Sequence, residues 1–267
     1  MKYRVTPFLA GLLITAMATW SFGQSNSNYK PAFLLGLKAD IQSAGIANQN
    51  NYGQNEMDYG VNFGGGGGVV LTYQMRPRSA MLLEASYQTS GQKYDDTFKF
   101  KHFVKDVQFS LLSIPLMYRY QFKEAPGGYS GVGTETKPIW YLQGGVQADK
   151  MLSPEIKWRV DGTETDFLQF VLEGGNPNQS IIESQGAPVS DEELFTQWSV
   201  SAVAAGGFIL YLNSTMRFTL ELRGGIGITD INAEQWRLKN NENVYAASRN
   251  SFLGLHAGIH FQLTQSQ

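Results

Sequence analysis

The stretch "MRFTLELRGGIGIT", residues 216–229, sets the fold. Met216, Phe218, Leu220, Leu222, Ile226 and Ile228 fall on one side of a two-residue repeat. Arg217, Thr219, Glu221, Arg223 and Thr229 fall on the other. Period two is the repeat of an extended strand, not of a helix. One face is bulky and free of charge. The other carries three full charges.

The same period recurs along the chain. Phe33, Leu35, Leu37, Ala39 and Ile41 alternate with Gly36, Lys38 and Asp40. Val69, Leu71 and Tyr73 follow the run Gly64–Gly68 and oppose Thr72 and Gln74. Met81, Leu83, Ala85 and Tyr87 oppose Glu84, Ser86 and Gln88. Leu112 to Phe122, Trp140 to Ala148 and Trp198 to Leu212 repeat the pattern. So does "SFLGLHAGIHFQL", residues 251–263, whose polar face holds His256 and His260. About eight strands result, each near the ~9–11 residues a tilted membrane strand requires. Connections alternate between short turns, "MRPRS" and "NST", and long polar segments. The predicted fold is all-β: an eight-stranded antiparallel up-and-down transmembrane β-barrel with long extracellular loops, residues 24–267.

Composition fits that fold. Charged residues make up 16% of the 267, glycines number 29 and cysteine is absent. Absence of cysteine removes disulfides, Cys-ligated zinc and thiol catalysis. A formal net charge of -2 leaves no basic footprint for nucleic acid. A mean hydropathy of -0.24 excludes a helical membrane bundle. Lys2 and Arg4 precede the apolar run from Pro7 to Trp20, and small residues follow. Residues 1–23 therefore read as a secretory signal peptide.

Alternation alone does not say which face points inward. Glycines cluster on the polar face, as a crowded interior demands. The apolar face is bulky and nearly free of charge, as lipid demands, and closure removes the strand edges that lipid cannot satisfy. The polar face is therefore assigned to the lumen. Its ionisable side chains are Lys38, Asp40, Glu84, Arg119, Asp149, Arg217, Glu221, Arg223, His256 and His260. Eight strands leave an interior just wide enough for side chains. Buried charges must be paired, so these residues are expected to form a polar network that fills the barrel. A small passive pore for ions or small solutes is the alternative.

No catalytic, cofactor-binding or metal site is expected. Four residues along a strand separate His256 and His260 by roughly 13 Å, too far to share one zinc. At the rim, His102, Asp95, Asp96 and Ser110 have no spacing that demands a cluster. Gly64–Gly68 lacks the Gly-Lys-Ser/Thr of a phosphate loop. The segment 150–194 carries nine carboxylates against three basic residues. Within it, "IKWRV" and "FLQFVL" flank "DGTETD" and predict an extra hairpin. "TFKFKHFVK" alternates too, which predicts a ribbon continuing outward.

"LLSIPLMYRYQF" followed by "KPIWYLQGGVQADKML" resembles the outer-membrane β-barrel domain family of some Gram-negative bacteria, the porin-like group that includes PorT-type proteins. The matching positions are Ile114–Pro115, Lys137–Pro138, Trp140, Gly144 and Gly145. The resemblance covers most of the mature chain, and the C-terminus departs from it by running past Phe261 without a final aromatic residue. It implies a non-enzymatic barrel in the outer membrane, monomeric, with periplasmic termini. Lipid and lipopolysaccharide would surround it. A protein partner would meet its extracellular loops or a secretion assembly, since some PorT-like members serve secretion.

Overall fold

The computed structural model describes residues 31–47, 58–60, 62–98, 100–124, 137–166, 190–213, 215–237 and 245–263. Residues 1–23, expected above to be a signal peptide, and "FLQFVL" lie outside them. The strands are β1 (Ala32–Ala47), β2 (Asp58–Gly60), β3 (Asn62–Arg76), β4 (Ser79–Phe98), β5 (Lys101–Gln121), β6 (Ile139–Val160), β7 (Thr163–Thr165), β8 (Trp198–Tyr211), β9 (Met216–Gly227) and β10 (Arg249–Gln262).

Eight of these close a ring in which every neighbour is antiparallel. Going round, the order is β1, β3, β4, β5, β6, β8, β9, β10 and back to β1. Closure carries a stagger. From Arg78, whose carbonyl accepts the Gln121 amide, the register steps through Tyr141, Gly207, Glu221, His256, Asp40 and Gly66 to Gln88, ten residues up β4 from the start. Strand number and stagger together fix the width of a barrel. Eight strands give an interior that side chains can fill.

The faces are unequivocal. Leu37, Ile41 and Phe63 point outward and are 64%, 69% and 79% exposed. Gln42, Glu221 and Arg223 point inward and are 3%, 2% and 1% exposed. A water-soluble barrel places its apolar face inside; this one is inverted. Aromatic side chains gather on the outer face towards the end that carries the short turns. Phe33 stacks on Tyr73, Tyr120 meets Phe122, and Trp140 meets Phe208. Such a girdle suits a membrane–water boundary.

Turn chemistry follows the sequence. In the β8–β9 turn, the Asn213 Oδ1 accepts the amides of Thr215 and Met216, at 2.9 and 2.7 Å. Asp161 and Gly162 have φ of 50° and 78° and connect β6 to β7. Asp-Gly is the residue pair that tolerates this tight hairpin. The extra hairpin therefore turns earlier than "DGTETD" suggests, pairing Trp158–Val160 with Thr163–Thr165. The "TFKFKHFVK" ribbon forms as expected, with Phe98 opposite Lys101. Pro115 interrupts the β4–β5 ladder. Register runs from Leu83↔Leu116 to Ser86↔Ser113 with no pairing between them, because proline has no amide proton to give.

β4, β5 and β6 are 20, 21 and 22 residues long, against 14 and 12 for β8 and β9. Their surplus rises beyond the apolar belt. There the inward face turns apolar, with Tyr94, Phe103, Val107, Phe109, Ile156, Trp158 and Val160. Leu194, Phe195, Ile231 and Trp236, from the connections before β8 and after β9, pack into it. Phe109 and Phe195 meet edge to face, with centroids 4.9 Å apart. A small hydrophobic core thus closes the loop end of the barrel.

Candidate functional site

Below that cap the lumen is ionic. Strand alternation on β9 presents Glu221 and Arg223 inward, β1 presents Lys38 and β4 presents Glu84. These four make one knot. The Arg223 guanidinium grips both oxygens of Glu84, at 2.9 and 2.8 Å, and reaches Glu221 Oε1 at 2.6 and 3.0 Å. Lys38 Nζ donates to Glu84 at 3.0 Å and to Glu221 at 2.9 Å. Glu221 Oε2 accepts the Tyr141 hydroxyl at 2.6 Å and the Gln143 amide at 2.8 Å. Arg119 adds the third cation. Its guanidinium lies over the Tyr141 ring at 4.1 Å, donates to Gln143 at 3.0 Å and stands 3.9 Å from Glu221. Charged groups this far from water are stable only when so completely partnered.

Lys38 reaches Glu84 because a strand lies between them without side chains. Lys38 pairs with Gly68 of β3, which pairs with Ser86 of β4. Inward-facing Gly64, Gly66 and Gly68 leave the β1 side chains a clear path over β3. Gln42 uses the same path to reach the Thr89 carbonyl at 3.2 Å. The five-glycine run is therefore a low sill inside the barrel. A Cβ at Gly64, Gly66 or Gly68 would land on a backbone carbonyl of β4.

The remaining lumen residues stand apart from the knot. His256 faces Asp40 across the β1–β10 ladder, with Nδ1 and Oδ1 3.9 Å apart, too far for a hydrogen bond. His260 shares a hydrogen bond with the Thr219 hydroxyl at 2.9 Å. Asp149 is held by Ser113 at 2.5 Å and by the Gln147 amide at 2.8 Å rather than by a cation. Arg217 lies over the Tyr211 ring at 4.8 Å and touches Gln74 at 3.5 Å. Of the ten predicted lumen residues, four thus form the knot and Arg119 joins it. Tyr141 and Gln143, which complete it, were not singled out from sequence. Their only signal there is an inward position on β6.

Other candidate chemistry is sparse. His102 Nε2 contacts Asp95 at 2.6 Å on the exposed ribbon, but Ser110 bonds the Tyr87 hydroxyl instead. The rim residues do not form a nucleophile–base–acid cluster. Among the described residues, no three His, Asp or Glu side chains are placed to hold a metal. Within the cap, Lys105 is 1% exposed, with Nζ 5.3 Å from the Tyr94 ring centre and 5.0 Å from that of Trp158. Burial pushes its amine down to about 7, and the Asp191 carboxylate offsets part of that shift.

No protein-family model matches the chain, and no curated protein matches it. Several solved structures of bacterial proteins are similar to it. The outer membrane protein OprG from Pseudomonas aeruginosa is 11% identical, with 90% of this chain and 100% of that one covered, at a TM-score of 0.45. Neisserial surface protein A is 12% identical over 87% and 98%, at 0.42. Ail, the attachment invasion locus protein of Yersinia pestis, is 7% identical over 86% and 99%, at 0.33.

Proposed function

We propose that the chain is a non-enzymatic outer-membrane barrel with its lumen closed by side chains. It would act as a structural or interaction protein through its outer end. The observation that carries this is the inversion of faces: an apolar belt nearly free of charge outside, and an ion-paired knot inside. Lipid is the solvent that accepts the first. A continuous water channel is what the second blocks. Both termini would lie in the periplasm, on the side of the short turns, and lipopolysaccharide would surround the outer half. Loop ends on a rigid barrel are where binding residues usually sit. A partner at that end, or a place in a PorT-like secretion assembly, is the finer form of the same reading.

A small passive pore is the competing function. Planar-bilayer recording of the purified barrel separates the two. The closed-lumen reading expects a silent baseline at either polarity. Discrete, steady conductance steps would favour the pore.

A further inference from the structure

A second polar feature lies on the outer wall, where the apolar belt ends. Cross-strand register places two polar rows there. Thr89, Ser110 and Ser153 form the lower row; Gly91, Gln108 and Glu155 form the upper. Immediately below, the outer face is Tyr87 and Leu112, and Phe63 lies two residues further up β3 than Gly65, which the Thr89 hydroxyl bonds. Apart from Gly91, the rows line a cavity of about 240 Å³ together with Asn62, Phe63, Ser90 and Phe109.

This cavity has a structural cause. The β3–β4 ladder stops at Gly66↔Gln88 and pairing with β4 resumes only at Gly60↔Lys93. In the gap, the Thr89 hydroxyl replaces the ladder, accepting the Gly65 amide and donating to the Gly65 carbonyl, both at 3.0 Å. The top of β3 is thereby free to bring Asn62 and Phe63 beside β4 and β5. Gly91 makes room for the Asn62 amide. A Cβ there would lie 2.6 Å from Asn62 Nδ2 and would strike the Val107 carbonyl. A β-bulge between Ser110 and Leu111 re-aims the outward residues of β6 at the same height.

The lining has a definite chemical character. Phe63 offers an aromatic face that is 79% exposed. Asn62 and Gln108 offer amides, Ser110 and Ser153 hydroxyls, and Glu155 a carboxylate. Amides and hydroxyls both donate and accept, and the carboxylate accepts. No cation lines the cavity. Lys157, two residues along β6, is drawn to Glu155 at 3.2 Å. This combination suits a ligand with one apolar ring face and an edge of hydroxyls, and disfavours a phosphate. Its height, just above the belt, is where the head groups of the surrounding leaflet lie.

We propose that this cleft binds a sugar ring carried on a glycolipid of the surrounding leaflet. The inference rests on the membrane reading above, since it takes the apolar belt as the lipid boundary. The hydroxyl edge of the ring would meet Asn62, Gln108 and Glu155, and its apolar face would lie on Phe63.

The test uses the full mature barrel in detergent micelles and two probes. One is core oligosaccharide released from lipopolysaccharide. The other is the intact lipopolysaccharide in mixed micelles. Saturation-transfer NMR on sugar ring protons should show saturable binding of both, at least tenfold tighter for the lipid-linked form. Phe63→Ala and Gln108→Ala should each weaken it tenfold or more. Phe63 is exposed, so its replacement leaves folding intact, which the unchanged gel mobility of the unheated protein would verify. Lys150→Ala, on the outer face of β6, should change nothing. Absence of saturable binding, or undiminished binding by Phe63→Ala, overturns the proposal. Equal affinity for the two probes overturns the glycolipid as its source. A chain that stays soluble without detergent fails the membrane reading instead, so the two failures are distinguishable.

Discussion

Glu221→Ala is expected to destabilise the barrel by about 3–5 kcal/mol, the usual cost of removing one partner from a buried charge cluster. Denaturant unfolding in micelles would measure it. Glu221 is the acceptor on which the lumen converges. Lys38, Arg223, Tyr141 and Gln143 all donate to it. Its removal leaves Lys38 and Arg223 bonded to one carboxylate, Glu84, and takes the carboxylate beside Arg119 away, all in the buried lumen. The comparison is Glu124→Ala. Glu124 pairs with Arg78 at 3.5 Å, with both side chains about half exposed. That loss should stay within about 0.5 kcal/mol, as for most surface ion pairs. Equal effects for the two substitutions would mean that the lumen is hydrated and that its charges need no partners.

Gly68→Val should be as damaging, for a steric reason. A Cβ at Gly68 meets the Ala85 carbonyl and lies 2.6 Å from Ser86 Cβ. The valine methyls would also stand in the path from Lys38 to Glu84. Backbone cannot yield there without shifting the β3–β4 register, and a register shift exchanges the lipid and lumen faces of a strand. The expected loss is about 3 kcal/mol or more, at the upper end for overpacking, with little folded protein recovered. Gly144→Ala is the matched comparison. Gly144 faces outward on β6, and the nearest atom to its added Cβ is 3.6 Å away. It should fold normally, changing stability by about 0.5 kcal/mol or less. If both variants fold alike, the glycine run is not the sill described above.

The sequence is most informative where period two is unbroken. On β9 and β10 every second residue is apolar, so strand, face and height are legible together, and the histidine spacing is read correctly as a strand spacing. The run Gly64–Gly68 is legible as interior glycine, but its purpose is not. That purpose depends on Glu84 of a strand beyond its neighbour, and no local pattern carries such a contact. Tyr141 is likewise visible only as an inward position. The cap is the largest feature hidden from the sequence. Leu194, Phe195, Ile231 and Trp236 are isolated apolar residues in polar connections, without periodicity, and they acquire a partner only when the long ends of β4–β6 curve over them. Lys105 lies on the same inward row as Val107 and Phe109, so alternation alone gives a lysine no reason to be buried. The break in the β3–β4 ladder is equally silent, since five glycines are compatible with pairing or with splaying.

The inversion of faces is the claim on which everything else depends, and tryptophan quenching by brominated acyl chains tests it directly. Trp140 points outward and is 58% exposed, whereas Trp158 points into the cap and is 4% exposed. Two variants of the chain, each keeping one of these and replacing its other tryptophans with phenylalanine, would be reconstituted in bilayers. The account predicts strong quenching of Trp140 and almost none of Trp158. Unquenched Trp140 would contradict it, because the apolar belt would then not face lipid.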